Sequence, residues 1–336
     1  MMINVAIVGA TGYTGLELCR LLLDHPKVQI KHLYANSNSG SVFSDLYPQF
    51  KSKLDHTLEV FNATSPPSVD LLFLAVPHAQ SHAYMHELYE SPLRIIDLSA
   101  DFRLDSSQNF EKYYNTTHQN PLLMKSIVYG IPELFSNDIK KAKCVANPGC
   151  YATSVILGLY PLFKEKLIEG TIIADSKSGA SGAGRGAKVS TLFCEVSEGF
   201  SAYSTGAHRH EAEIEQILGS KVFFSPHLVP MNRGILSSLY IDLNKGLSTE
   251  QIIAMYQTYY KNCPFIILNK DRSPNTKYVS GSNNCMIHIT QVKGKTVIFS
   301  VIDNLIKGAA GQAIQNMNLM YHYDESEGLP SIGHYL

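Results

Sequence analysis

At 336 residues the chain exceeds the roughly 100–200 residues of one typical domain and suits two. With 45% hydrophobic and 17% charged residues it can bury real cores, which excludes a disordered or collagenous chain. Its 28 basic and 29 acidic side chains leave a formal net charge of -1, too balanced to grip nucleic acid or anionic lipid through a long-range field.

The longest unbroken apolar run, Leu71 to Val76, is far shorter than the roughly 18–20 residues that cross a bilayer. The opening MMINVAIVGA has no basic residue ahead of its apolar stretch and passes straight into a glycine-rich turn, so no signal peptide is expected and a cytoplasmic chain is. Cysteines at 19, 144, 150, 194, 263 and 285 form no CxxC pair, and reduced thiols are expected.

In chain order, Ile3 to Val8 reads as a buried strand, GATGYTG as a tight turn, and LELCRLLLDHP as a helix with Leu18, Leu21 and Leu22 on one face and Pro26 beyond its end. A strand near Gln29 to Ala35 completes a βαβ unit. Asp70 to Pro77 reads as a further strand, Gln80 to Tyr89 as a helix and Arg94 to Ser99 as the next strand. This alternation predicts an α/β fold: a Rossmann-type, doubly wound parallel sheet that binds ligands at the carboxyl ends of its strands. After Cys150 the texture changes to a helix over Tyr151 to Leu162, a glycine- and serine-rich loop over Ser176 to Gly186, and β-like runs at Val222 to Phe224, Gly234 to Leu243 and Val297 to Ile302. A second, α+β domain for substrate and dimerisation is expected there. DNLIKGAAGQAIQNMNLMY reads as helical despite Gly308 and Gly311. The predicted division is 1–149 for a dinucleotide, 150–303 for catalysis and oligomerisation, and 304–336 as a helix returning to the first domain.

Gly9, Gly12 and Gly15 are spaced GxxGxxG between strand and helix, where missing Cβ atoms let backbone N–H groups approach a pyrophosphate. The second strand runs out into Ala35, Asn36, Ser37, Asn38, Ser39 and Gly40, with no acid for the ribose hydroxyls, so NADP is favoured over NAD. In ANPGCYATS, Cys150 stands just ahead of a segment with Val155, Ile156, Leu159 and Leu162 at helical spacing, so its thiol sits at a helix amino terminus. The helix dipole and free N–H groups there favour the thiolate. GAHRHEAEIEQIL places His208 and His210 on the extended approach to a further helix. A cysteine with a histidine is the minimum for a nucleophile with an acid/base partner. A zinc site is not expected, since no other ligand cluster accompanies the pair. SGASGAGRGAK supplies hydroxyls, backbone N–H groups and Arg185 for an anion, with Arg103 and Arg233 as further candidate anchors.

Taken together, GATGYTG, DLSADFRL, YGIPEL, NPGCYATS, SGASGAGR, HRHEAEIEQ, RGIL and DNLIKGAAGQA span the chain and resemble the N-acetyl-gamma-glutamyl-phosphate reductase family, NADPH-dependent semialdehyde dehydrogenases of arginine biosynthesis. The resemblance implies Cys150 as nucleophile, an acid/base group from the HRH segment, and help from His208 and Glu213 in placing substrate. It also implies a homodimer or homotetramer. Of the two histidines His210 is the expected acid/base, being nearer the helix start. The cofactor-binding set expected is Gly9, Thr11, Gly12, Tyr13, Thr14, Gly15, Ser37, Ser39, Pro77, Ser99, Gly182 and Asn304. The substrate set is Arg103, Asn147, Ser178, Gly179, Arg185, His208 and Glu213. Alternatives are an aspartate-semialdehyde-type dehydrogenase, a Cys/His acyl hydrolase with a vestigial turn, and a cofactor-binding regulator without chemistry.

Overall fold

A computed structural model describes residues 2–335. Within it the chain forms two compact units, residues 1–148 with 310–329, and residues 149–309 with 330–336.

In the first unit, β1 (Ile3–Val8), β2 (Val28–Tyr34), β3 (Leu71–Leu74), β4 (Arg94–Asp97), β5 (Val128–Tyr129) and β6 (Cys144–Ala146) make a parallel sheet in the order β2-β1-β3-β4-β6-β5. Every residue of β3 is buried, as expected of a strand covered on both faces. The order reverses at β1, whose carboxyl end carries the glycine turn, and ligands bind at such a switch point. The helix Gly311–Met320 is buried throughout and completes this unit. Its Asn316 Nδ2 donates to Gly130 O at 2.9 Å and to Asn147 Oδ1 at 3.1 Å. The boundaries differ from those expected. Residues 304–309 and 330–336 lie with the second unit, the latter because Asn283 N donates to Pro330 O, Asn284 Nδ2 to Ser331 O and His334 N to Ser280 O.

In the second unit, β7 (Ile168–Gly179), β8 (Ser201–Ala202), β9 (Val222–Val229), β10 (Ile235–Leu243), β11 (Ile266–Leu268), β12 (Cys285–Val292) and β13 (Lys295–Ile302) form a mixed sheet in the order β11-β12-β13-β10-β7-β9-β8. The expected loop from Ser176 starts later. Ser176 to Gly179 are the end of β7, because Ser176 and Ser178 alternate inward and pair with Ser237 and Ile235 of β10.

Helix Cys150–Lys164 lies on the inner face of this sheet. The approach is close because small side chains line it: a Cβ on Gly158 would stand 2.5 Å from Leu239 Cδ1. Ser154 Oγ donates to Ser237 Oγ at 2.9 Å, and Ser237 meets Ser176 Oγ at 2.8 Å, so the buried hydroxyls satisfy one another. Pro161 lacks the N–H that would bond Leu157 O, and the Tyr260 hydroxyl donates to that carbonyl instead at 2.6 Å. These contacts fix the helix whose first residue is Cys150.

At the end of β4, Asp97 and Asp101 are both buried around Ser81 Oγ, which lies 2.7 Å from Asp97 Oδ2, 3.2 Å from Asp101 Oδ2 and 2.7 Å from Ser99 Oγ. Asp101 also accepts the N–H groups of Ala79 and His82. Burial, then the charge of Asp101, pushes the Asp97 carboxyl up to about 7. The proton on Asp97 therefore stabilises the fold fully below the ordinary carboxylate range, and this contribution is lost as pH rises through about 7. Asp97→Asn mimics the protonated form. The wild-type Tm is expected to fall between pH 5 and pH 8 relative to that of Asp97→Asn. Parallel curves across that interval would refute a shared proton in this cluster.

Candidate active site

Gly9 (φ +85°) and Gly15 are where the first turn tolerates no side chain: a Cβ would stand 2.2 Å from Ala75 O and 2.3 Å from Gly9 O, respectively. At Gly12 it would meet only Gly9 O at 3.5 Å, which leaves the outer side of the turn open. Gly12 caps helix Tyr13–Leu23 without a side-chain hydrogen bond, and the first turn holds no acid. Open backbone N–H groups at a positive helix end fit a dinucleotide pyrophosphate. Thr11, Tyr13 and Thr14 belong to the same turn, and Tyr47 Oη braces it by donating to Thr11 O at 3.0 Å. Ser37, Ser39 and Pro77 are exposed beyond the ends of β2 and β3. Ser99 is buried, its hydroxyl and N–H both turned to Asp97. Arg103 Nε and Nη2 donate to Asn147 O and Leu98 O at 2.8 Å, tying the ends of β4 and β6 together.

In the second unit, Cys150 is the first residue of its helix, half-buried and in no disulfide. A Cβ on Gly149 would lie 2.4 Å from His210 Nε2, so the imidazole rests on the main chain immediately before the cysteine. Glu213 is fully buried: its Oε2 accepts the Gly149 N–H at 3.0 Å, and its Oε1 stands 3.8 Å from His210 Nε2. One carboxylate thus holds both the turn before Cys150 and the imidazole beside it.

Of the histidine pair, His208 keeps the extended approach expected of it, as the N-cap of helix Arg209–Leu218 (φ -78°, ψ 131°), whereas His210 lies inside the first turn; their rings are 4.7 Å apart. His208 Nδ1 accepts the His210 N–H at 3.1 Å, and its ring is enclosed by Tyr151, Tyr203 and Phe224. Burial, reinforced by the Arg209 charge, pushes His208 down to about 4. His208 is a neutral cap, and His210 is the imidazole that lies against Gly149 and Glu213.

Tyr151 and Tyr203 are site residues the sequence reading did not single out; one follows Cys150 directly, but an aromatic ring alone signals only core. Tyr203 Oη donates to Tyr151 Oη at 3.1 Å, and Tyr151 Oη donates to His227 O at 3.0 Å. Burial holds the Tyr203 hydroxyl up at about 12, with Cys150 adding to the rise. Ser178 is buried and Gly179 packs on Asn232, while Gly182 lies over Ser178 Oγ and Arg185 is exposed in the loop beyond. Asn304 Oδ1 accepts the Gly234 N–H at 2.7 Å and its Nδ2 donates to Ser181 Oγ at 2.9 Å, bracing that loop. Arg233 is paired with the buried Asp303 at 3.2 Å. Among the described residues no group of three or more His, Cys, Asp or Glu side chains is placed to hold a metal ion.

A glycine turn built for a dinucleotide, and a helix-start thiol with a carboxylate-backed imidazole, are the equipment of an aldehyde-level oxidoreductase. Residues 4–142 match the family model of the semialdehyde dehydrogenase NAD-binding domain and residues 150–304 that of the semialdehyde dehydrogenase dimerisation domain. The chain belongs to the semialdehyde dehydrogenase family. It is 48% identical to the N-acetyl-gamma-glutamyl-phosphate reductase of Campylobacter jejuni subsp. doylei over 98% of each chain, and 46% identical to that of Halothermothrix orenii over 99% of each. Among solved structures, aspartate semialdehyde dehydrogenase II of Vibrio cholerae superposes with a TM-score of 0.73 at 18% identity, over 96% of this chain and 99% of that one. The Candida albicans aspartate semialdehyde dehydrogenase gives 0.71 at 14%, over 96% and 99%. At such identities these two share the fold alone. No helix among the described residues is long and apolar enough to cross a membrane.

Since His208 titrates near 4, its removal is expected to leave the pH profile of turnover between pH 5 and 8 in place. His210→Asn is expected to cost about 10²–10⁴ in kcat, the range of a general acid/base. The roles are exchanged if His208→Gln costs more in kcat while His210→Asn chiefly raises KM.

Proposed function

We propose that the chain reduces N-acetyl-gamma-glutamyl phosphate to N-acetylglutamate semialdehyde and inorganic phosphate, with NADPH as reductant. The observation that carries this reading is Cys150 at its helix start, with the His210 ring on Gly149 and Glu213 behind both. The family membership and the printed names of the full-length relatives support the substrate. The first unit, with its returning helix Gly311–Met320, takes the dinucleotide at the glycine turn, and the second unit carries the chemistry.

The Cys150 thiolate attacks the acyl carbon, forming a C–S bond as the C–O bond to phosphate breaks, and a thioester results. NADPH held at the glycine turn of Gly9, Gly12 and Gly15 would supply the hydride that reduces the thioester. His210 holds a proton toward the resulting oxyanion and recovers it as the C–S bond breaks, releasing the aldehyde and returning the thiolate. Ser178 and Arg185 hold anionic oxygens, and Glu213 keeps the imidazole oriented. The neutral loop at Ser37 and Ser39 accepts the 2′-phosphate of NADP, where an acid would repel it. A working thiolate suits a reducing, cytoplasmic setting.

With N-acetylglutamate semialdehyde, inorganic phosphate and NADP the protein is expected to generate NADPH, faster than with NAD and faster than with aspartate semialdehyde. Omitting phosphate should stop turnover, because phosphate must release the thioester. Cys150→Ser is expected to fold and bind NADP yet lose nearly all activity, a serine hydroxyl being barely ionised near neutral pH. Full activity after complete alkylation of Cys150 would sink the covalent mechanism.

We propose further that two copies join through the outer face of the second sheet. Phe223, Ile173 and Tyr240 are adjacent in register across β9, β7 and β10, yet 53%, 44% and 37% exposed. A two-fold axis would pair this apolar row with itself, and a stable pair needs about 1,200 Å² or more of buried surface. Light scattering on a sized column should report a dimer or a multiple of it, and Phe223→Lys should shift it toward monomer. A wild-type monomer at micromolar concentration would refute the pairing.

A further inference from the structure

The segment between β13 and helix Gly311–Met320 is a five-residue π-turn, Ile306–Ala310, in which Gly308 N donates to Asp303 O at 2.9 Å across five residues. Such turns cost hydrogen-bond geometry and recur where a backbone must be set at a functional group. Asp303 holds this one in place. It is fully buried, accepts the Leu305 and Ile306 N–H groups at 2.9 and 3.1 Å, and is paired with Arg233. Lys307 is also fully buried, its ammonium 5.8 Å from the Phe265 ring centre, so the turn is anchored from both ends.

The turn brings Gly308 against the nucleophile itself. A Cβ built on Gly308 would stand 2.7 Å from Cys150 Cβ and 3.3 Å from Cys150 Cα, with Ile302 Cδ1 at 3.3 Å on its other side. The first contact is closer than real Cβ atoms come, and its partners are the Cβ and Cα of the cysteine rather than a flexible side-chain tip. Gly308 has no positive φ, so backbone freedom is not what requires glycine here. What requires it is the volume occupied by Cys150.

We propose that Gly308 is a positioning residue for Cys150: the π-turn is a backstop that fixes the cysteine Cα and Cβ, and through them the direction in which Sγ leaves the helix start. The proposal rests on Cys150 as the nucleophile. His210 and Gly149 bound the cysteine on one side through the main chain, and Gly308 bounds its side chain on another.

The test is Gly308→Ala in the full chain. The added methyl must displace Cys150, and misplacing a reacting group by a fraction of an ångström to an ångström costs about 10- to 100-fold in rate. The expected result is a fall of about tenfold or more in kcat and a slower reaction of Cys150 with iodoacetamide, read by mass spectrometry. Gly246→Ala, whose methyl meets nothing within 4 Å, is the control for a general glycine effect. Should Gly308→Ala fold poorly, Gly308→Ala combined with Ile302→Val frees space on the far side of the methyl and is expected to recover alkylation rate and kcat together.

A Gly308→Ala enzyme with wild-type kcat and wild-type Cys150 alkylation overturns the proposal. So does a loss of Tm with both readouts unchanged, which marks the glycine as structural only. If instead Cys150→Ser retains full activity, the nucleophile reading has failed, whatever Gly308→Ala does.

Discussion

The Glu213 carboxylate, fully buried between two elements, is the interaction on which the second unit's chemistry depends. A carboxylate out of water is costly unless its oxygens are matched, and this one is matched to a backbone N–H at Gly149 and faces the imidazole of His210. Because the N–H belongs to the residue before Cys150, the start of the Cys150 helix is tied to the histidine helix Arg209–Leu218. The distance between thiol and imidazole is therefore set by rigid parts rather than by two independent side chains. The sheet beneath does the same work from below, since the serine hydroxyls and Gly158 let the helix press close enough to lock its register.

The two histidines show how environment divides one residue type into two roles. Both sit within three residues, yet His208 spends its Nδ1 on the helix cap and is shut among aromatic rings, which keeps it neutral. A neutral cap also spares the helix start a second positive charge beside Arg209, where the helix dipole already disfavours one. His210, one turn in, is left beside Gly149 and the carboxylate. Removal of the cap would then weaken the site through helix order rather than through proton transfer.

Much of this was legible in the sequence, because the signals were local. The GxxGxxG spacing between an apolar strand and helix requires a tight turn, and Gly9 and Gly15 occupy places where any side chain would strike backbone. Cys150 ahead of an apolar helix repeat is likewise a short-range pattern. What stayed hidden was long-range. Nothing near Gly308 in the chain announces that it abuts a cysteine 158 positions earlier, and Asp97 and Asp101 read as ordinary polar residues until Ser81 closes the cluster. The Ser176 to Gly179 segment read as a loop because its small residues are common in loops, whereas here they serve a strand beneath a closely packed helix. His210 read as lying outside the helix it enters because a histidine is a rare helix cap, and the usual Ser, Thr, Asp or Asn signal was missing.

The return of helix Gly311–Met320 to the first unit has a consequence for how the chain is made. Every residue of that helix is buried, and its neighbours come from the first half of the chain. As the polypeptide leaves the ribosome, the dinucleotide unit has its whole parallel sheet by Ala146 but lacks a wall of its core until more than 150 further residues have been added. Domains are commonly completed in order of synthesis, the first before the second. Here the second unit has its full sheet before the first can close, so the nascent dinucleotide unit passes through a long interval with an open apolar flank, in which chaperone binding or aggregation competes with completion.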